Sequence, residues 1–385
     1  MPNRLLAALA VLALLAGCQL FKSSPVQKPA ELVPIEPTAA LKVLWQGSVD
    51  AAAKNVFFPE ASGSIIYAVG ARGSGTGFDA ADGKTLAGFA AGQPVSGGVG
   101  VGNGLVLLGT PRGEVLAFDR EGKPRWKTQL SSEILAPPEA QDGTVVARSG
   151  DNRIYGLDVA TGKQKWVYQR STPALSVRTN AGLVIQRGGV FIGFPGGRLV
   201  ALSLGNGMVA WEGIVALPRG TTELERVADI TSLPVIDGQQ ACAAAFQGRV
   251  ACFDVARGTL LWARDVSSVA GIAVDARFLY VTDDKNAVLA LDRTSGASIW
   301  RQDKLVGRNV SGPLALGRHV VVGDLEGYVH LLSREDGSFA ARIATDDSAI
   351  SAPPRALNSN SFVVQTRNGG VFAIVVEQKT AAKSP

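Results

Sequence analysis

One 15-residue phrase occurs three times in nearly the same form: NRIYGLDVATGKQKW at 152–166, GRVACFDVARGTLLW at 248–262 and NAVLALDRTSGASIW at 286–300. Each copy has alternating apolar residues, then an Asp, a Gly-bearing turn and a final Trp. Looser copies extend the pattern to eight positions along the chain: Trp45, Leu86, Trp126, Trp166, Trp211, Trp262, Trp300 and Ala341. These positions are about 40 residues apart, and self-similarity at that period indicates a repeat architecture.

Each repeat contains four short apolar runs separated by turn residues. Before Trp166, for example, ILAPPEA (134–140) and TVVARS (144–149) precede the two runs of the phrase itself. Such runs predict strands joined by hairpins, and no long stretch has the 3.6-residue period of a helix. Four strands in about 40 residues are typical of a propeller blade. We therefore predict an all-β fold, an eight-bladed β-propeller of four-stranded blades over residues 41–378.

The two ends of the repeat array complement each other. Residues 362–376 supply strands of a last blade, but no Trp strand follows them. Conversely, LKVLWQGSV (41–49) is a Trp strand with no blade before it. We predict that this N-terminal strand completes the C-terminal blade, which closes the ring and removes an open sheet edge.

The recurring Trp and Asp residues have a structural interpretation. A Trp on the outer strand can cover the cleft between blades and direct its N–H at a backbone carbonyl. The repeated carboxylates stand at strand ends before turns, where they can accept turn N–H groups; they are Asp79, Asp119, Asp158, Asp254 and Asp292. A residue repeated in five blades indicates architecture rather than catalysis.

The N-terminus has the pattern of an export signal. Arg4 precedes a 12-residue apolar stretch from Leu5 to Ala16, which is too short to span a bilayer and predicts a signal peptide over 1–17. The sequence Leu15-Ala16-Gly17-Cys18 resembles a bacterial lipobox, which implies cleavage before Cys18 and its lipidation. Gln19 after the Cys favours the outer membrane. We interpret the Pro-rich residues 18–40 as a tether and 379–385 as a disordered tail.

Several chemistries find no support in the sequence. The net charge is a mild +5 without a long basic run, which argues against nucleic-acid binding. DGKT at 82–85 lacks the upstream Gly of a phosphate loop, because position 78 is Phe78. His319 and His330 have no neighbouring acidic or Cys cluster in the sequence, so they make a poor metal site. We predict no catalytic residue, no metal and no cofactor.

Cys242 and Cys252 lie on the two arms of one predicted hairpin. They could face each other across adjacent strands, and an exported protein permits a disulfide. The alternative is a pair of small buried thiols, and the sequence leaves both interpretations open.

Two repeats are longer than the others. The interval from Trp166 to Trp211 is 45 residues and that from Trp211 to Trp262 is 51. The extra residues fall at 172–184 and 213–230, in both cases between a Trp strand and the first strand of the next blade. Enlarged neighbouring loops on a rigid scaffold are where binding is expected.

The repeat phrase resembles the repeat of the pyrroloquinoline-quinone enzymes. Two groups of proteins carry this repeat. Quinoprotein dehydrogenases are longer and usually carry adjacent cysteines beneath the quinone, and no such pair exists here. The lipobox, the tether, the eight repeats and the length together resemble the BamB family of outer-membrane assembly lipoproteins. That resemblance implies docking to the POTRA domains of BamA, and through it to the other assembly lipoproteins, with no enzymatic activity.

The resemblance also implies docking residues within the two insertions. The family pattern Leu-x-Leu-Arg corresponds to Leu175, Val177 and Arg178, with Val in place of the second Leu. A following Asp-x-Asp corresponds to Asp229 and Thr231, so the second carboxylate is absent. We expect Asp229 to orient Arg178.

Two functions of different classes are compatible with the sequence. The first is a non-enzymatic scaffold lipoprotein that faces the periplasm, binds BamA and contacts unfolded outer-membrane protein clients. The second is a periplasmic quinone-dependent dehydrogenase or a ligand-binding propeller.

Overall fold

A computed structural model of the chain describes residues 28–178 and 180–378. These residues form 32 strands, which pair into eight four-stranded antiparallel sheets. Seven sheets take four consecutive strands each, and the eighth combines strands from both chain ends in the order β1-β32-β31-β30. The fold is therefore the eight-bladed propeller that the repeat predicts, closed by the N-terminal strand.

The strands of the first four blades follow in chain order from the inner to the outer edge. Blade 1 has β2 (Glu60–Ser62), β3 (Ile65–Val69), β4 (Ser74–Asp79) and β5 (Thr85–Ala90). Blade 2 has β6 (Gly97–Gly102), β7 (Leu105–Gly109), β8 (Glu114–Asp119) and β9 (Pro124–Gln129). Blade 3 has β10 (Glu139–Gln141), β11 (Thr144–Arg148), β12 (Ile154–Asp158) and β13 (Gln164–Tyr168). Blade 4 has β14 (Leu183–Gln186), β15 (Gly189–Phe194), β16 (Arg198–Ser203) and β17 (Val209–Ile214).

The remaining blades repeat this order up to the closure. Blade 5 has β18 (Val235–Asp237), β19 (Gln240–Ala244), β20 (Val250–Asp254) and β21 (Leu260–Arg264). Blade 6 has β22 (Gly271–Val274), β23 (Phe278–Thr282), β24 (Val288–Asp292) and β25 (Ser298–Gln302). Blade 7 has β26 (Leu314–Leu316), β27 (His319–Gly323), β28 (Tyr328–Ser333) and β29 (Phe339–Ala344). Blade 8 has β30 (Arg355–Ala356), β31 (Ser361–Gln365), β32 (Gly370–Gln378) and, outermost, β1 (Ala39–Ser48).

Each Trp joins its blade to the next one. The six indole N–H groups donate to the backbone carbonyls of Ala80, Val159, Leu204, Val255, Arg293 and Arg334, at distances of 2.8–3.0 Å. Each acceptor directly follows the position of the repeated Asp in the neighbouring blade. The Gly of the adjacent turn packs on the indole face: a Cβ on Gly258, where φ is +67°, would lie 2.6 Å from Trp211. The repeated phrase therefore encodes the contact between blades.

The repeated Asp residues cap turns, as their position predicts. The Asp292 carboxylate accepts the backbone N–H groups and the hydroxyls of Thr294 and Ser295. These hydrogen bonds lower the pKa of Asp292 to about 2.

Every pair of outer strands contains a register shift, and in blade 1 this shift changes which residue fills the Trp position. All eight pairs contain a bulge next to the Trp position. In blade 1 the bulge places Ala87 opposite Gly77, the position that Trp166 occupies opposite Gly156 in blade 3. Leu86 is the bulge residue and is 53% exposed. The prediction that Leu86 fills the Trp position was therefore wrong by one residue.

The chain ends differ slightly from the predicted boundaries. β1 begins at Ala39 rather than at 41, and residues 30–38 contact blade 7. The signal peptide over 1–17, Cys18 and the tail at 379–385 lie outside the described residues. Within residues 28–178 and 180–378, no helix is long and apolar enough to cross a membrane.

Candidate functional site

Two long connections between blades lie side by side on one face of the disk. One connects β13 to β14 and the other connects β17 to β18. Because every blade runs from its inner to its outer strand, all connections between blades emerge on the same face, which we call the connection face. The predicted insertions at 172–184 and 213–230 fall in these two connections, apart from residues 183–184 in β14 and 213–214 in β17.

Asp229 joins the two connections. Its carboxylate accepts the backbone N–H of Val177 at 2.6 Å and that of Gly196, in the β15–β16 hairpin, at 2.9 Å. Its side chain is buried, and these backbone N–H groups satisfy both of its carboxylate oxygens. The expectation that Asp229 orients the Arg178 side chain was wrong: Asp229 holds the backbone of the loop that carries Arg178.

The Arg178 side chain lies over the preceding connection between blades. It is 64% exposed, and its Nη2 is 3.5 Å from Oε1 of Glu133. A hydrogen bond from the Ser132 hydroxyl lowers the pKa of Glu133, so this carboxylate is ionised at neutral pH. An ion pair of this length and exposure contributes little to stability. Most of the Arg178 side chain is therefore accessible to solvent.

Arg148 is a buried residue that binds backbone carbonyls next to the first connection, and it was not identified from the sequence. Its Nη1 donates to the carbonyls of Ala181 at 3.2 Å and Gly193 at 2.9 Å, and its Nη2 donates to Asn152. Burial lowers the pKa of Arg148 to about 10, still far above neutrality, and Asp229 favours its charged form. The available signal was a charged residue at the end of an otherwise apolar strand run, TVVAR.

The face around Arg178 combines charge with exposed apolar side chains. Leu175 is 41% exposed, and the second connection presents Leu217 and Leu224 at 51% and 71%. Arg148, Arg178 and Val177 also line a cavity of about 140 Å³. Contiguous exposed apolar surface marks interaction sites, and Arg is among the residue types enriched at the energetic centres of protein interfaces.

The other predicted positions lie away from this face or play structural roles. Thr231, where the family pattern has a second carboxylate, is buried. Cys242 and Cys252 are buried directly opposite each other on β19 and β20, with Cα atoms 4.1 Å and sulfur atoms 1.96 Å apart. His330 is buried against Asp324. Among the described residues, no group of three or more His, Cys, Asp or Glu could hold a metal ion.

Comparison with known proteins decides the family. The family model described as outer membrane protein assembly factor BamB matches residues 76–302. A relative with that name from Bordetella pertussis is 41% identical over 94% of this chain and 94% of its own length. One from Nitrosomonas eutropha is 40% identical over 90% of this chain and 85% of its own. The chain belongs to the BamB family.

Solved structures agree with this assignment. The crystal structure of BamB from Moraxella catarrhalis has a TM-score of 0.81 and 26% identity, and it covers 87% of this chain and all of its own. Quinohemoprotein alcohol dehydrogenase from Comamonas testosteroni has a TM-score of 0.70 at 14% identity, covering 90% of this chain and 78% of its own. The second likeness shows the propeller fold alone.

Membership of the BamB family assigns the chain its broad role. It is an assembly factor for outer-membrane proteins, a non-enzymatic member of the assembly complex associated with that membrane. The quinone-dependent enzyme, the second function compatible with the sequence, is therefore set aside.

Proposed function

We propose that the connection face binds the POTRA region of BamA and that lipid on Cys18 holds the propeller at the periplasmic side of the outer membrane. The chain then reaches the other assembly lipoproteins through BamA and supports the folding and insertion of client proteins. The observation that carries this proposal is the pair of connections joined by Asp229, which presents Leu175 and Arg178 together.

The physical argument rests on preorganisation. Loops that are ordered only on binding lose conformational entropy at that moment, which weakens affinity. The hydrogen bonds of Asp229 to Val177 and Gly196 order the loop in advance. Arg178 can then form a charge-assisted pair with a partner carboxylate, while the exposed Leu175, Leu217 and Leu224 of the two connections bury apolar surface against the same partner. A partner patch with acidic and apolar residues fits this face.

Charge reversal at Arg178 tests the docking assignment. We expect Arg178→Glu to reduce co-purification with BamA more than tenfold, because the introduced carboxylate would repel both Glu133 and a partner carboxylate. The readout is capture of BamA from detergent-solubilised outer membranes, together with the affinity for purified POTRA domains.

Arg277→Glu is the matched control for this experiment. Arg277 is 59% exposed and paired with a glutamate, Glu335, but it lies in the β22–β23 hairpin on the opposite face. Capture should be unchanged in this variant. Full capture by Arg178→Glu would remove the docking assignment, and equal loss in both variants would attribute the effect to net charge.

A further inference from the structure

Residues 28–38 run along blade 7 before β1 begins. The backbone N–H of Ala30 donates to the carbonyl of Val306 at 3.0 Å, and that of Thr38 donates to the carbonyl of Ala340 at 3.0 Å. Between these two points the apolar side chains of Leu32, Val33 and Ile35 are partly buried. The end of the predicted tether therefore has specific contacts with the propeller.

Two arginines of the propeller bind carbonyls of this segment. Nη1 of Arg308 donates to the carbonyl of Ala30 at 2.9 Å, and Nη1 of Arg342 donates to that of Val33 at 3.1 Å. Arg308 belongs to the connection between β25 and β26, whereas Arg342 is on the outer strand β29. The segment is thus held at the face and at the rim of the same blade.

A buried network fixes both guanidinium groups. Arg308 is 2% exposed and donates from Nε to Asp324 at 2.7 Å, and it also pairs with Glu326. His330 lies 2.9 Å from the same Asp324 oxygen. Nε of Arg342 donates to Nδ1 of His330 at 3.1 Å. Buried charged donors require partners, and the carbonyls of Ala30 and Val33 supply one each to Arg308 and Arg342.

We propose that blade 7 is a docking surface for the chain's own residues 28–38, and that this docking orients the propeller relative to its membrane anchor. The orientation rests on the lipidation of Cys18 in the proposed function. The contact of Ala30 with Val306 and Arg308 lies in a connection between blades, and so on the connection face. The segment therefore leaves the disk on the connection face, which also carries Arg178. Its exit lies between blades 6 and 7, three blades around the ring from Arg178, which lies between blades 3 and 4.

Docking also shortens the reach of the anchor. From Cys18 to Ala30 a fully extended chain spans at most about 43 Å, whereas from Cys18 to Ala39 it would span up to about 75 Å. The docked segment therefore limits how far the connection face can lie from the membrane.

Amide hydrogen exchange of the mature chain tests the docking. The amides of Ala30 and Thr38 should be protected, and Arg342→Gln should accelerate their exchange at least tenfold while the strands of the other blades stay protected. Arg301→Gln is the matched control, because Arg301 on β25 of blade 6 has the same register position as Arg342 on β29 of blade 7. This variant should leave the exchange of Ala30 and Thr38 unchanged.

A substitution in the segment itself separates docking from the stability of blade 7. Ala30→Pro removes the N–H that donates to Val306 and leaves the propeller unaltered, so it should accelerate exchange at Thr38 without changing the melting temperature. Exchange of Ala30 and Thr38 in the unaltered chain at the rates of an unstructured peptide would overturn the docking.

Energy transfer to acceptor lipids tests the orientation, with the lipidated chain on vesicles of phosphatidylethanolamine and phosphatidylglycerol. Donor dyes are attached at Leu224→Cys on the connection face or at Lys84→Cys in the β4–β5 hairpin on the opposite face. Transfer should be stronger from position 224, and Ala30→Pro should reduce the difference.

The outcomes separate this inference from the proposed function. Equal transfer from both positions, with the amides of residues 28–38 protected, would overturn the orientation. A chain that does not float with vesicles would disprove the anchor at Cys18, and with it the orientation, while the exchange experiment would still decide the docking.

Discussion

At the scale of single residues, Asp229 has the clearest assignment. Its carboxylate accepts two backbone N–H groups from different segments, and both hydrogen bonds are charge-assisted. The structure thus explains why a buried acid lies in the connection between β17 and β18. Its carboxylate binds the backbone of the connection between β13 and β14.

Asp229→Asn should loosen the connection between β13 and β14, which carries Arg178, without unfolding the ring. An amide has a single acceptor oxygen, and its NH₂ group would face a backbone N–H, so we expect a loss of about 2 kcal/mol in unfolding free energy. Limited proteolysis between Ser171 and Asn180 and the affinity for POTRA domains measure the effect. Asp254→Asn, at the end of β20 where the carboxylate caps a hairpin turn in blade 5, is the control. A loop as resistant as that of the unaltered chain would contradict this role.

At the scale of elements, the β19–β20 hairpin presents an arrangement that can be tested directly. Cys242 and Cys252 are opposite each other and buried, and they are only 10 positions apart in the sequence. A cross-link that closes a loop of this size stabilises by about 3 kcal/mol through the unfolded chain.

The disulfide prediction is tested by Cys242→Ala combined with Cys252→Ala. We expect the double variant to lose about 3 kcal/mol of unfolding free energy relative to the oxidised chain. Its unfolding free energy should equal that of the unaltered chain measured in reductant. Urea denaturation with and without reductant provides the measurement. Two alkylatable thiols in the native, oxidised-grown protein would disprove the disulfide.

The buried network of blade 7 makes stability depend on pH. Burial lowers the pKa of His330 below its ordinary value of 6.5, although Asp324 favours the charged form and Arg342 and Arg308 oppose it. The unfolded chain then binds a proton more readily than the folded one, so the unfolding free energy falls as the pH drops below about 6.5. One such site changes stability by no more than about 1.4 kcal/mol per pH unit.

His330→Asn isolates this contribution. The Asn oxygen can still accept from Nε of Arg342 but does not titrate, so the decrease between pH 7.5 and 5.5 should be smaller in the variant than in the unaltered chain. Urea denaturation at both pH values measures the difference. Burial lowers the pKa of His319 as well, so His319→Asn is measured alongside to give the separate share of that residue in the decrease. Equal decreases in the His330 variant and the unaltered chain would exclude His330 as the source.

At the scale of the whole molecule, closure depends on one strand. β1 pairs with β32 from Ala39 to Ser48, and Trp45 from β1 donates to the carbonyl of Ala80 in blade 1. The strand therefore completes blade 8 and joins it to the first blade of the ring.

Deleting residues 39–48 should destabilise the whole propeller. The edge of β32 and the apolar side chains beneath Trp45 would face solvent, and the contact between blades 8 and 1 would be lost, so we expect the melting temperature to fall by more than about 10 °C. Scanning calorimetry measures it. Deleting residues 28–38 is the control and should lower the melting temperature less. An unchanged melting temperature after deletion of 39–48 would contradict closure by this strand.

The sequence by itself determined the blade number, the closing strand and the location of the two enlarged connections. These properties follow from local patterns that recur at one period, such as the Asp, Gly and Trp of 152–166. The tertiary structure alone decided which residues meet. Asp229 binds Val177 and Arg308 binds Ala30 across 52 and 278 residues, separations that no local pattern encodes. Ala87 rather than Leu86 fills the Trp position because strand pairing, not sequence spacing, sets the register at a bulge.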